Sequence, residues 1–169
     1  MTPTSFATAL WRAHLTKFAA LLFASAIAGT VACGGGGDSA TGPTKSPVGA
    51  WTLRSADGKS LPAQVYRGPY YSEVDDRNYE VFDVRITGGT FTLDANGVYH
   101  SAMNYVVSKD GREQTGALRA SGTYEVNGDQ VFLVVDGGGD GGGTIVDGTL
   151  TLWFDVVAQG TDKPYVYTK

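Results

Sequence analysis

From residue 48 onward, apolar residues recur at every second position in short runs, which is the period of a strand with one face buried. Trp51 and Leu53, Phe91 and Leu93, Tyr99 with Met103 and Tyr105, Tyr124 and Val126, and Leu150 with Leu152 and Phe154 follow this period and are expected to face inward. The pattern predicts strands over 50–54, 60–66, 79–87, 90–94, 98–108, 113–120, 122–126, 130–135, 144–146, 149–157 and 165–168. The stretch 131–135, Val-Phe-Leu-Val-Val, is apolar at every position, so its second face calls for cover by a loop, another sheet or a partner. No stretch after residue 48 has apolar residues at helical spacing beside a capping signal.

Turn chemistry supports the same reading. Asp57-Gly58, Asn96-Gly97, Asp110-Gly111, Asn127-Gly128 and Asp147-Gly148 each stand between β-prone runs, and Asn, Asp and Gly accept the positive φ of tight hairpins. With some runs merging, about eight to ten antiparallel strands are expected, the number at which a meander closes into a small barrel. Two segments interrupt the regularity. The stretch 136–143 is two aspartates among six glycines and reads as a flexible hairpin loop. It lacks the nine-residue repetition of calcium-binding β-helices, and two carboxylates fall short of the six or more oxygens that calcium takes. The stretch 66–80 holds four of the nine tyrosines among Gly, Pro, Asp and Arg. It reads as a loop that closes a barrel mouth, contacts a partner, or covers the apolar edge of the sheet.

Residues 1–32 contain no Asp or Glu, carry Arg12, His14 and Lys17, and continue into the apolar run 18–27. That is a charged region followed by a hydrophobic one shorter than the about 20 residues a membrane-spanning helix needs. Next comes Thr30-Val31-Ala32-Cys33, containing the only cysteine of the chain. This segment resembles the lipobox of bacterial lipoproteins, with Thr30 where that family prefers an aliphatic residue. The resemblance implies that 1–32 is a signal peptide that is removed, and that Cys33 becomes the amino terminus and carries the lipid that holds the protein on a membrane. Gly34 in place of an aspartate implies an outer-membrane address, facing the periplasm or the surface. Residues 34–47, GGGGDSATGPTKSP, lack any large apolar side chain and form a tether reaching about 20 Å, leaving 48–169 as one domain.

Removing 1–32 leaves 11 of the 13 basic residues against 17 acidic ones, a net charge of −6. With no basic cluster, nucleic acid is not an expected partner. Gly49-Ala50-Trp51 opening the first strand, followed by hairpins, resembles the lipocalin-like domains of bacterial lipoproteins. Gly122-Thr123-Tyr124, a turn and then the apolar strand to Leu133 resembles their recurring hairpin. The resemblance implies a barrel around a small apolar ligand, with Trp51 as the structural plug of the closed end, often packed against a late arginine. No arginine follows Arg119 here.

Beyond the first 32 residues there is one histidine, His100, and no sequence resembling a nucleophile elbow. Asp75 and Asp76 lie in a polar stretch. No enzyme activity, cofactor or metal is therefore expected. The leading expectation is a tethered barrel binding a small apolar or amphipathic molecule, with Phe91, Tyr105, Tyr124, Phe154, Tyr70 and Tyr71 as ligand-facing residues. The alternative is a packed interaction module whose 66–80 segment and Phe132, Val134 face meet another envelope protein.

Overall fold

The computed structural model describes residues 46–156 and 161–169. The segment expected to be a signal peptide, Cys33 and the expected tether as far as residue 45 lie outside the described residues. Ten strands run in chain order: β1 (Gly49–Ala56), β2 (Lys59–Ser60), β3 (Ala63–Ser72), β4 (Arg77–Leu93), β5 (Val98–Lys109), β6 (Arg112–Asn127), β7 (Gln130–Val135), β8 (Asp140–Val146), β9 (Thr149–Phe154) and β10 (Lys163–Thr168). No helix occurs among the described residues. Each strand of the meander pairs with the next from β3 to β10, and β10 returns to β1. Pairing of Gly49–Thr52 with Thr90–Leu93 joins β1 to β4 and closes a ring of eight strands. The protein is thus an all-β antiparallel barrel of the small lipocalin-like kind, with β2 and β3 inserted outside the ring.

Its turns follow from local chemistry. Asp57, Asp110 and Asp147 have φ of 53°, 47° and 49°, each followed by a glycine also at positive φ. Two successive residues at positive φ make the turn whose twist matches that of a hairpin. The sequence-derived strands 79–87 and 90–94 merge into β4, and 113–120 and 122–126 merge into β6. Gly89, which fell in the break between two predicted strands, and Gly122, which was expected to open a strand, both allow close approach. A Cβ on Gly89 would sit 2.9 Å from Ala102 O, and one on Gly122 would sit 1.9 Å from Val134 O.

Two expectations are corrected. Residues 66–80 are not an open loop: β3 and β4 run through them as a hairpin, leaving only a short turn between Ser72 and Arg77. Alternate tyrosines on one face of β3 pack on Phe82, and that burial stabilises the extended form. The stretch 136–143 is a loop only as far as Gly139, and Gly141, Gly142 and Gly143 belong to β8. A Cβ on Gly143 would meet Thr151 O at 2.1 Å, so the glycines admit neighbouring strands that side chains would hold apart.

The barrel has two unlike ends. At the closed end the chain enters β1, and Trp51 Nε1 donates to Pro47 O at 3.0 Å. Lys169 at the end of β10 places Nζ 4.8 Å over the Trp51 ring and donates to Ser46 O and Val48 O. A lysine thus supplies the cation that the resemblance placed on a late arginine. At the other end, β4, β5 and β6 outrun the barrel. With β3 they form a four-stranded extension rising past the mouth, since β7 pairs with β6 only from Gly122 onward.

Candidate functional site

The barrel interior is the first candidate, and it is full. Trp51, Phe91, Tyr99, Tyr165 and Tyr167 are each no more than 2% exposed, and Leu53, Leu93, Leu150 and Leu152 no more than 3%. A side chain lining a chamber wide enough for a ligand would expose area to it, so these residues line none. Phe91 stacks on Tyr99 with ring centres 5.1 Å apart and meets Tyr167 edge-on at 5.9 Å, while Phe154 lies 5.6 Å from Tyr165. Burial pushes the Tyr99 phenol up to about 12, with the nearby Asp136 carboxylate adding to it. Burial raises Tyr165 and Tyr167 further, so these phenols are neutral at pH 7.

One polar atom in this interior is left over: the Tyr165 hydroxyl is buried without a hydrogen-bond partner. An orphaned buried hydroxyl costs about 1–3 kcal/mol. Tyr165→Phe is therefore expected to stabilise the protein by about 1 kcal/mol, read from the urea midpoint. A loss of stability would mean that the hydroxyl has a partner.

Above the mouth, the inner face of the extension carries an aromatic cluster. Tyr70 stacks on Phe82 at 4.4 Å, and Tyr66 meets both rings edge-on at 6.3 Å. Tyr66 donates to Pro69 O, which bends its ring over Gly68. At the tip, Ser72 Oγ and Tyr79 Oη donate to Asp75 Oδ2, and Lys109 Nζ donates to the same oxygen while lying 5.3 Å from the centre of the Tyr79 ring. Asp75 is held below the usual carboxylate range, first by Lys109, whose effect outweighs the opposing one of burial, and further by the Ser72 and Tyr79 hydroxyls. Asp57 at the mouth is lowered in the same way, chiefly by Lys163, 2.9 Å away, and also by Lys59.

Carboxylates lowered on folding contribute stability that is complete above their unfolded value near 4 and is lost as pH falls through the folded value. Stability is expected to be level from pH 7 to about 5 and to fall below about 4. Asp75→Asn is expected to be less stable at pH 7 and to show a shallower acid slope. Urea midpoints measured across pH check this, and identical slopes for the two proteins would contradict it.

On the outside of the barrel, Phe132, Val134 and Trp153 are 49%, 60% and 41% exposed. Pairing sets Phe132 beside Gly142 and Gly142 beside Trp153, so two large rings flank a strand position with no side chain. The cover expected for 131–135 is absent among the described residues: Val131, Leu133 and Val135 face the core, and Phe132 and Val134 face outward.

The six residues expected to face a ligand do not converge, and none of their rings contacts another of the six. Phe91 is buried directly across the β1–β4 pairing from Trp51. Tyr124 is held at the closed end, where its hydroxyl donates to Asp94 O at 2.7 Å. Phe154 packs on Tyr165 at the mouth end of β9. Tyr105 lies across Gly116, where a Cβ would come 2.4 Å from its hydroxyl oxygen. Tyr70 is in the aromatic cluster, whereas its neighbour Tyr71 points out and donates to Asp76. Trp51, expected as the structural plug, is buried where the chain enters β1, beside Pro47 and Lys169.

The sequence reading missed Tyr165, Tyr167, Trp153 and Lys169. The alternation Tyr165-Val166-Tyr167 was a usable signal for the first two. His100 is exposed, with Nε2 3.6 Å from Asp94 Oδ2. No group of three or more His, Cys, Asp or Glu suited to a metal occurs among the described residues. No protein-family profile, curated protein or solved structure matches the chain.

Proposed function

We propose that the protein is an envelope lipoprotein, anchored through lipid on Cys33, that displays a side-chain-filled barrel as a recognition module for another envelope protein. The observation that carries this reading is the closed packing of the five interior rings, which leaves recognition to the surface. Phe132, Val134 and Trp153 supply an apolar face of the kind that marks protein contact, with the two aromatics suited to central anchors. The tether enters beside Trp51, so a lipid on Cys33 sets the closed end toward the membrane and the mouth with its extension away from it. By resemblance the membrane is the outer one.

Extraction of the full chain from membranes in mild detergent tests the reading. The protein is expected in a complex whose mass copies of this chain alone do not account for, and Phe132→Asp with Trp153→Asp is expected to release it with the melting temperature little changed. A complex unmoved by the pair would contradict the assignment of this face. Cys33→Ser is expected to take the protein out of the membrane fraction; a variant still membrane-bound at unchanged mature mass would contradict the anchor.

A second reading rests on the unpaired Tyr165 hydroxyl and the half-buried Tyr105 and Phe154. Here a small amphipathic molecule enters at the mouth between Tyr105 and Phe154 and brings its polar end to that hydroxyl, which is shut off from solvent in the packed barrel, by parting the rings around it. Tyr165→Phe would then weaken its binding rather than simply stabilise the protein.

A further inference from the structure

We infer that the protein self-associates by pairing the free edge of β6 with the same edge of a second copy, antiparallel about a two-fold axis at Gly116. β6 is bonded to β5 along its whole length, from Arg112 opposite Lys109 to Thr123 opposite Val98, but β7 joins its other side only at Gly122. Between Arg112 and Ser121 that side faces no strand among the described residues. Tyr124 N donates back to Gly97 O on the β5 side, whereas Ser121 O accepts from Asp136 N on the β7 side. Main-chain groups alternate along a strand. The N–H and C=O groups of Glu113, Thr115, Ala117 and Arg119 therefore point into the open edge, which is the condition for adding a strand.

Three features fix the occupant as a second copy and fix its register. With the axis at Gly116, Glu113 stands opposite the copy's Arg119 and Thr115 opposite its Ala117. All four are residues whose main-chain groups point outward, so each pair exchanges both of its hydrogen bonds. Arg112 then falls opposite Ala120, and the added strand ends just short of Gly122, where β7 begins, so the free edge is filled without collision.

The third feature is charge. An edge guarded against association carries charges of one sign, which repel a copy in every register. Here the charges are opposite and symmetric about Gly116. Arg85 lies 3.5 Å from Asp83 and contacts Glu113, a row of two acids and one base. Arg119 is exposed and makes no ion pair with the described residues. Paired across the axis, Arg119 of each copy completes the acid-rich row of the other. The pairing uses a different surface from the Phe132 and Trp153 face and stands or falls separately from the proposed envelope partner.

The test uses the full chain carrying Cys33→Ser, purified without detergent so that no micelle brings copies together, and follows its mass by sedimentation over a range of concentrations. A concentration-dependent dimer is expected. Arg119→Glu or Glu113→Arg alone, each setting like charges opposite one another twice, is expected to weaken it about tenfold, and the two combined to restore it. In the same background, chains with Thr115→Cys mixed with chains with Ala117→Cys are expected to form a disulfide between copies on oxidation, because directly opposite residues lie within bridging distance. A monomer at every concentration, a dimer unmoved by the single reversals, or failure of the mixed cysteine chains to cross-link would overturn the pairing.

Discussion

Replacing Trp51 by alanine is expected to cost about 3–5 kcal/mol, a large share of the 5–15 kcal/mol that a domain of this size has in hand. The side chain is fully buried where β1 closes the ring against β4, so the void it leaves falls at the seam. Its loss also strands Pro47 O and removes the ring beneath Lys169 Nζ. Lys169→Ala removes the cation alone and is expected to cost only about 0.5–2 kcal/mol. Urea titration separates the two, since a change in midpoint at constant slope reports stability alone. A cost for Trp51→Ala no greater than that for Lys169→Ala would mean that the ring is not the plug of the closed end.

The second large effect is expected from adding a single methyl group. Gly122→Ala places Cβ 1.9 Å from Val134 O and 2.9 Å from the Tyr99 ring, and Gly143→Ala places it 2.1 Å from Thr151 O and 2.7 Å from Leu152. Two of these neighbours are backbone, which cannot rotate aside, so the strands themselves must part. Overpacking of this kind is expected to cost about 3 kcal/mol or more at each site. Gly128→Ala, at φ of 60° with nothing within 4 Å of the added Cβ, carries only the left-handed strain of about 1–2 kcal/mol. Thermal melts of the three variants check the ranking. Equal costs would show that conformation rather than strand approach explains the glycines of β6 and β8.

The same glycines explain why sequence reasoning found the barrel but misplaced some of its strands. Alternation at Trp51 and Leu53, Phe91 and Leu93, and Leu150 and Leu152 reported one buried face, and those residues are the core. Asp-Gly pairs marked the tight hairpins because positive φ is a local requirement. Gly89 read as a break and Gly142 and Gly143 as loop because their value lies in the strands alongside, and no local pattern carries that information. The tyrosines of 66–80 were legible as a cluster. That Tyr66 and Tyr70 face inward as one side of a hairpin while Tyr71 points out depends on Phe82, which lies opposite Gly68 in the folded sheet and fourteen residues away in the chain.

The candidate site was the least legible part. Phe91 and Phe154 were chosen as inward-facing aromatics, which they are, but inwardness does not separate a ring that lines a cavity from one that fills it. That depends on how many large side chains the other strands send to the same level. Here Tyr165 and Tyr167, on the last strand, help complete the filling. The free edge of β6 was equally out of reach, because it arises where β7 ends rather than from anything in β6 itself.

The filled interior is the central claim, and the mass of the folded protein tests it most directly. The full chain carrying Cys33→Ser, purified without detergent, is weighed under conditions that preserve folding and again after denaturation. The filled barrel predicts a folded mass equal to the polypeptide alone or a whole-number multiple of it. An additional mass carried by the folded protein and lost on denaturation would contradict the claim, place a small molecule in the barrel, and identify it.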